Sequence, residues 1–173
     1  MSIKIAILTI STRGSRGERE DTSGATVKEI VKHLDAEVVD YQIIPDDQKE
    51  IVWHLKRLVE AVKADLILTT GGTGLSPTDV TPEATLEVIE RRAPGLEEVM
   101  RTTGLKHTPH AMLSRAVAGT CEKSLIINLP GSPKGVRENL EAILPVLPHA
   151  INILKGKQVQ DAEHVFHTQK PKT

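Results

Sequence analysis

Three polar segments of the sequence could bind ligands, two of them anions and one a metal ion, and each follows an apolar run that predicts a buried strand. The longest of them, from Thr69 to Glu83, contains three glycines in four residues. Glycines let the backbone approach an anion closely and turn its N–H groups inward. The segment is neither a P-loop, which needs Gly-Lys-Ser/Thr, nor the dinucleotide pattern G-x-G-x-x-G. Both a phosphate cradle and a plain strand-to-helix turn fit it. Its candidate ligand positions are Thr70, Gly71, Gly72, Thr73 and Gly74.

Acidic side chains stand close to the ends of two of these strands. The second segment, residues 43–47, ends in Asp46 and Asp47, which follow the second apolar run. Asp79 belongs to the first segment and stands just before a predicted helix. Carboxylates are ligands that Mg²⁺ prefers, and carboxylates at two strand ends of one sheet can converge on one ion. Asp46 or Asp47 could instead cap the helix that follows. The sequence leaves the Mg²⁺ site and the helix cap open as alternatives.

The third segment, Asn128–Gly135, again runs from a strand end into a helix. Gly131, Ser132 and the free N–H groups of the first helical turn form a candidate anion site, to which Lys134 adds positive charge. Ordinary capping by Ser132 and Pro133 is the alternative. The two roles are compatible, because the same N–H groups serve either one.

Four further features carry weaker signals. Arg115 could pair with a phosphate or with a surface acid. His107 and His110 are three positions apart, but they are more typical of a solvated loop than of a metal site. The polar stretch 11–22 predicts a loop that either closes over a nucleotide or merely connects two elements. No role is assigned to Thr12.

Strands alternate with helices along the chain, which predicts a mostly parallel sheet with helices on both faces. Such sheets bind ligands beyond the carboxyl ends of their strands. The predicted strands are 3–10, 37–44, 66–70, a weak strand after Ala116, and 124–129. Helices are predicted from a cap at Ser23, after Asp47, from a cap at Thr81 to about Arg91, from Gly95 to Leu105, and from Ser132 with an interruption at Pro145.

Composition excludes several classes of function. The formal charge is −1 and only three residues are aromatic, so neither a field for nucleic acid or anionic membranes nor a base-stacking platform is expected. The single cysteine excludes an intrachain disulfide and a cysteine-based zinc cluster. The first residues lack a basic leader, and no apolar run has the length of a membrane helix. A cytoplasmic location is expected.

The segments together resemble the MogA/MoaB family of molybdenum cofactor biosynthesis proteins, whose domain also occurs in gephyrin. The resemblance implies a three-layer α/β/α sandwich that forms homotrimers, sometimes arranged as hexamers. It also implies molybdopterin adenylyltransferase activity, in which AMP passes from MgATP to the terminal phosphate of molybdopterin. A single domain over 1–157 and a polar tail over 158–173 are expected. The matching stretches are 5–9, 21–24, 70–85, 113–119 and 129–134.

The family's two critical aspartates correspond to Asp46 and Asp79, which implies Mg²⁺ binding and phosphate positioning for both. By the same resemblance, residues 71–74 hold the nucleotide phosphates, and residues 130–134 with Ser114 bind the pterin phosphate. Two alternatives stay open. One is a MoaB-like oligomeric protein that binds pterin or nucleotide without catalysis, and the other is a scaffold that uses the domain only to trimerise.

Overall fold

A six-stranded sheet forms the centre of the computed structural model, which describes residues 2–156. Its order is β2-β1-β3-β6-β5-β4, and the first four strands run parallel while β5 and β4 are antiparallel to their neighbours. The strands are β1 Ile3–Ile10, β2 Ala36–Ile44, β3 Leu66–Thr70, β4 Arg91–Arg92, β5 Ala118–Cys121 and β6 Ser124–Leu129. The predicted tail over 158–173 lies outside the described residues.

Helices cover both faces of the sheet. They are α1 Thr12–Ser15, α2 Thr22–Val31, α3 Gln48–Glu60, α4 Thr81–Val88, α5 Pro94–Leu105, α6 Pro133–Ile143 and α7 Leu147–Leu154, with 3₁₀ turns at Pro109–Leu113 and Leu144–Val146. Among the described residues, none of these helices combines the length and apolarity that a bilayer crossing requires.

Two apolar cores lie on opposite faces of the sheet, which confirms the three-layer arrangement. Ile5 and Ile7 of β1 face the core that α2, α6 and α7 cover, whereas Ala6 and Leu8 face the core beneath α3 and α4. Side chains alternate between the faces of a strand, so a strand covered on both sides is apolar throughout. This explains why the near-continuous aliphatic runs predicted β1, β3 and β6 correctly.

Some predicted element boundaries were wrong. The cap of α2 is Asp21, whose carboxylate accepts the Gly24 N–H at 2.8 Å, and Ser23 lies inside the helix. The N-cap of α4 is Val80, without a side-chain bond, and the helix ends at Val88, so Arg91 belongs to a short edge strand instead.

The polar stretch 11–22 contains a short helix, α1, where a loop was predicted. The Ser11 hydroxyl accepts the Gly14 N–H at 3.0 Å and so begins the turn. At α6 the predicted cap is confirmed, because the Ser132 hydroxyl accepts the Gly135 N–H at 3.1 Å. The interruption at Pro145 is also confirmed.

Candidate active site

The loops that follow β3 and β6 touch each other at the carboxyl edge of the sheet. The hydroxyl of Thr70 donates to the Pro130 carbonyl at 2.6 Å. A methyl group at Gly131 would lie 3.3 Å from the Gly71 Cα atom. The two glycine-bearing segments therefore form one continuous floor.

Glycine is required at two positions of the β3 loop. Gly71 and Gly72 have φ angles of +99° and +65°, a region that disfavours other residues. A Cβ atom at Gly71 would lie 2.3 Å from the Ile10 carbonyl oxygen, and one at Gly72 would lie 2.4 Å from the Thr81 hydroxyl. That hydroxyl donates to the Gly71 carbonyl at 2.9 Å, which fixes the loop against the start of α4.

Two neighbouring cavities open above this floor and share Gly72, Asp79 and Gly131 in their walls. The wider cavity, about 390 Å³, is bounded by the β3 and β6 loops, the 3₁₀ turn 109–113 and helix α6. The narrower cavity, about 270 Å³, is bounded by the β1 and β3 loops and by the residues that lead into α2. Both are of a size that suits a small ligand or part of one. Asp79 thus stands where two bound molecules would meet.

Asp46 lines the narrower cavity and is held there by Thr12. One carboxylate oxygen, Oδ2, accepts the Thr12 N–H at 2.8 Å and the Thr12 hydroxyl at 2.7 Å, and the Asp46 N–H donates back to that hydroxyl at 3.0 Å. The neighbouring Asp47 caps α3 by accepting the Glu50 N–H at 3.0 Å. The helix cap that the sequence left open is therefore Asp47, whereas Asp46 lines the cavity and its binding of Mg²⁺ stays a prediction.

Asp79 is fixed by the loop around it. Its Oδ2 accepts the Ser76 N–H at 3.1 Å, and its backbone carbonyl accepts from Arg115 at 2.6 Å. The same guanidinium donates to the Gly74 carbonyl at 2.7 Å and forms a short ion pair with Glu83. Burial would raise the pKa of Glu83, but the hydrogen bond and charge of Arg115 bring it below its usual value. Arg115 is therefore a brace for the β3 loop.

A cluster of hydroxyl donors surrounds Asp21, another acid that lines the narrower cavity. Asp21 accepts hydrogen bonds from the hydroxyls of Thr9 at 2.6 Å and Ser23 at 3.1 Å, and a short one from the hydroxyl of Tyr41. Burial would raise the pKa of Asp21, but these donors and the Gly24 N–H lower it. Burial, together with the bond to Asp21 and its charge, raises the pKa of Tyr41 to about 12.

Most of the predicted site residues lie together around the two cavities. Gly72, Thr73, Gly74, Ser114, Pro130, Gly131 and Ser132 line the wider cavity, whereas Gly71 and Asp46 line the narrower one.

Thr70 and Lys134 lie outside the walls of both cavities. Thr70 is fully buried, with its hydroxyl bonded to the Pro130 carbonyl. Lys134 is exposed and pairs with Glu138 at 3.8 Å. His107 and His110 are both exposed, but neither is part of a plain solvated loop, because His110 lies in the 3₁₀ turn and lines the wider cavity and His107 stands 3.6 Å from Glu138.

Sequence reasoning missed three residues. Thr12 donates to Asp46, which lines the narrower cavity, and Asp21 lines that cavity itself. Glu138 lines the wider cavity. The segment 21–24 carried a signal, since it belongs to the matching stretches, but no role followed from it. Glu138 lies in the interior of a helix and has no local signal at all.

The acids at the cavities fit a cation that arrives with a phosphate ligand. No set of three or more His, Cys, Asp or Glu side chains in residues 2–156 could hold a metal ion by itself. Mg²⁺ in proteins is commonly held by one or two carboxylates together with substrate phosphates and water. Asp46 and Asp79, on the wall of one cavity, suit that mode of binding.

Comparison with known proteins decides the family. A model described as "Probable molybdopterin binding domain" matches residues 6–149. The chain belongs to this family. It is 41% identical to the molybdopterin adenylyltransferase of Helicobacter pylori strain J99, over 99% of this chain and 98% of that protein. A match to the gephyrin of Dictyostelium discoideum, also 41% identical, covers 88% of this chain but only 23% of gephyrin.

Solved structures of the family share the fold. The structure described as the molybdopterin biosynthesis enzyme MoaB of Thermus thermophilus is 51% identical, with a TM-score of 0.85 over 90% of this chain and 98% of that one. These matches confirm the resemblance and the α/β sandwich. Relatives with MogA and MoaB names both occur among them.

Proposed function

We propose that this member of the molybdopterin-binding domain family is a molybdopterin adenylyltransferase, which transfers AMP from MgATP to the terminal phosphate of molybdopterin. The observation that carries the proposal is the pair of cavities that meet at Gly72, Asp79 and Gly131. A transferase with two anionic substrates needs two adjoining sites and a shared reaction point. The adenylyltransferases to which the chain is similar support this choice of substrates.

The walls of the cavities support an assignment of one substrate to each. The narrower cavity is lined mainly by polar groups, among them Asp46 and Asp79, which suits the polyphosphate of ATP. The wider cavity adds apolar contacts from Ala111, Leu113 and Pro130, which suit the face of a pterin ring. The positive end of the α6 dipole lies beside the wider cavity and favours a bound phosphate there.

The reaction requires charge neutralisation more than proton transfer. An oxygen of the molybdopterin phosphate attacks the α-phosphorus of ATP, a new P–O bond forms, and the bond to the bridging oxygen breaks so that pyrophosphate leaves. Because a phosphate monoester is largely ionised at pH 7, no strong general base is needed. The glycine floor lets both anions approach the backbone closely, and Arg115 holds the β3 loop in place.

Asp46 and Asp79 would hold Mg²⁺ in this site, and Mg²⁺ supplies positive charge against the phosphates of ATP. Thr12 positions Asp46 by occupying its Oδ2, which leaves Oδ1 unbonded within the described part of the chain. Ser76 positions Asp79 in the same manner.

Pyrophosphate release from MgATP, with and without molybdopterin, tests the proposal. Asp46→Asn and Asp79→Asn should each reduce molybdopterin-dependent release by at least about 100-fold, a magnitude typical for loss of a group that stabilises transferred phosphate. Asp47→Asn is the matched control, since asparagine also caps helices and activity should persist. Bound molybdopterin without any release would favour the MoaB-like binding protein instead.

Self-association and location belong to the same proposal. We expect a homotrimer, and sedimentation or light scattering of the purified chain tests it against a monomer, a dimer and a hexamer. A cytoplasmic site of action is expected, since ATP is a substrate and the single cysteine is free. Cell fractionation tests that location.

A further inference from the structure

Glu138, on helix α6, is a shielded carboxylate that the proposed chemistry does not use. Its side chain is only 14% exposed and lines the wider cavity. Its basic neighbours within residues 2–156 are His107, with Nδ1 3.6 Å away, and Lys134, with Nζ 3.8 Å away, and both separations exceed a hydrogen bond. No described residue donates a hydrogen bond to it. A carboxylate that is shielded from water is stabilised when a partner donates hydrogen bonds to it.

Asn139, the residue after Glu138, adds a hydrogen-bond acceptor to the same wall. Asn139 donates its Nδ2 to the Gly135 carbonyl at 2.8 Å, so its amide oxygen stays available as an acceptor. Neither lysine nor arginine lines the wider cavity in the described part of the chain, and the basic side chain in its lining is His110 of the 3₁₀ turn. A ligand edge that carries donors therefore fits this end of the cavity.

The donors that suit a phosphate lie at the opposite end. Ser132 caps α6 by accepting the Gly135 N–H, and Pro133 carries no N–H, so the Lys134 N–H and the positive end of the helix dipole remain for an anion beside Gly131. Glu138 follows Ser132 by six positions, roughly 9 Å along the helix. The cavity thus has one end for an anion and another for a donor-rich group, and Ala111 and Leu113 add apolar side chains to its lining.

We infer that Glu138 binds the aminopyrimidine edge of the pterin and selects for it; this rests on the proposed function. The 2-amino group and the adjacent ring N3–H of a pterin are parallel donors. The two oxygens of one carboxylate accept such a pair, as they accept the two N–H groups of an arginine. The phosphate of molybdopterin lies at the other end of its fused rings and would then reach the start of α6 and Asp79.

Glu138→Gln tests the inference with little change in shape. Glutamine turns a donor toward the donor edge of the pterin, so the Kd for molybdopterin, followed by its fluorescence, should rise by about 10- to 100-fold. The KM for ATP should stay within about twofold. Glu141→Gln is the matched control: it removes an exposed carboxylate from the same helix, one whose ion-pair partner within residues 2–156 is Arg137, and should change neither value.

A pair of ring fragments gives a readout that a structural defect would not mimic. Pterin and lumazine differ at position 2, where lumazine carries an oxo group that would face the carboxylate. The wild-type protein should prefer pterin over lumazine as a competitor of molybdopterin, and Glu138→Gln should lose that preference. Equal preference in both proteins would overturn the inference.

The two proposals fail in different ways. Weaker and unselective pterin binding by Glu138→Gln, without adenylylation by the wild-type protein, would sustain the role of Glu138 and reject the enzyme. Adenylylation with an unchanged molybdopterin KM in Glu138→Gln would sustain the enzyme and reject the role of Glu138. A raised KM for ATP alone would also reject it, because the nucleotide would then occupy the wider cavity.

Discussion

Tyr41 donates a hydrogen bond from its hydroxyl to Asp21 beside the narrower cavity. The pH at which Tyr41 ionises, above 10, therefore tests this contact. Burial, the hydrogen bond and the charge of Asp21 raise the pKa of Tyr41 from 10.0 to about 12. A shift of this size corresponds to about 2.7 kcal/mol between the two protonation states. Tyr41 is 38% exposed, and solvent screening reduces the contribution to stability to about 1–2 kcal/mol.

The sign of the effect follows from the raised pKa. The unfolded chain ionises its tyrosine near pH 10, whereas the folded chain resists ionisation until about pH 12. The contribution to the free energy of unfolding is therefore complete below pH 10 and is lost as the pH rises through about 12. Tyr41→Phe should abolish this part of the alkaline loss of stability.

Near-ultraviolet absorbance of tyrosinate measures the pKa directly, since Tyr41 is the single tyrosine of the chain. Asp21→Asn should lower the midpoint toward 10 without reaching it, because burial, the largest cause of the shift, persists. Circular dichroism at each pH identifies the folded range. A wild-type midpoint near 10 in the folded protein, or the same midpoint in Asp21→Asn, would refute the reasoning.

Three further substitutions test the supports of the site. Gly72→Ala should destabilise the fold by about 1–3 kcal/mol in urea unfolding, because alanine is strained at φ +65° and its methyl group meets the Thr81 hydroxyl; unchanged stability would contradict the close packing. Arg115→Lys should cost about 1–3 kcal/mol in the same assay, since lysine cannot make all three contacts of the guanidinium; full stability would exclude the brace. Thr12→Val should lower kcat roughly 10-fold by releasing Asp46, and an unaltered kcat in steady-state assays would show that this hold is dispensable.

Local patterns were sufficient to predict the parallel part of the fold. In β1 and β3 both faces of the strand are buried, so their apolar runs are nearly continuous. The short strand β4 escaped prediction because its two residues pair with β5 across the sheet and carry no strand pattern of their own. The predicted helix α4 ran on to Arg91 because the pairing of Arg91 with β5 leaves no local signal in the sequence.

The site was predictable where one loop carries it and not where distant segments meet. The glycines of the β3 loop and the two acids at strand ends stand out in sequence. The hold of Thr12 on Asp46 joins residues 34 positions apart, and the Thr70 hydroxyl is bonded to a carbonyl 60 positions away. Such contacts depend on the order of strands in the sheet, which sequence patterns do not specify.

The central claim is that AMP passes from ATP to molybdopterin where the two cavities meet. Its most direct test is to follow phosphorus label from ATP into the pterin product. Purified protein, molybdopterin and Mg²⁺ are incubated with ATP labelled on the α-phosphorus or, separately, on the γ-phosphorus, and the pterin product is isolated. Adenylyl transfer predicts α-label in the pterin product and γ-label in pyrophosphate, with both transfers lost in Asp79→Asn. Label from the γ-phosphorus in the pterin product, or no labelled pterin from a protein that binds molybdopterin, would contradict it.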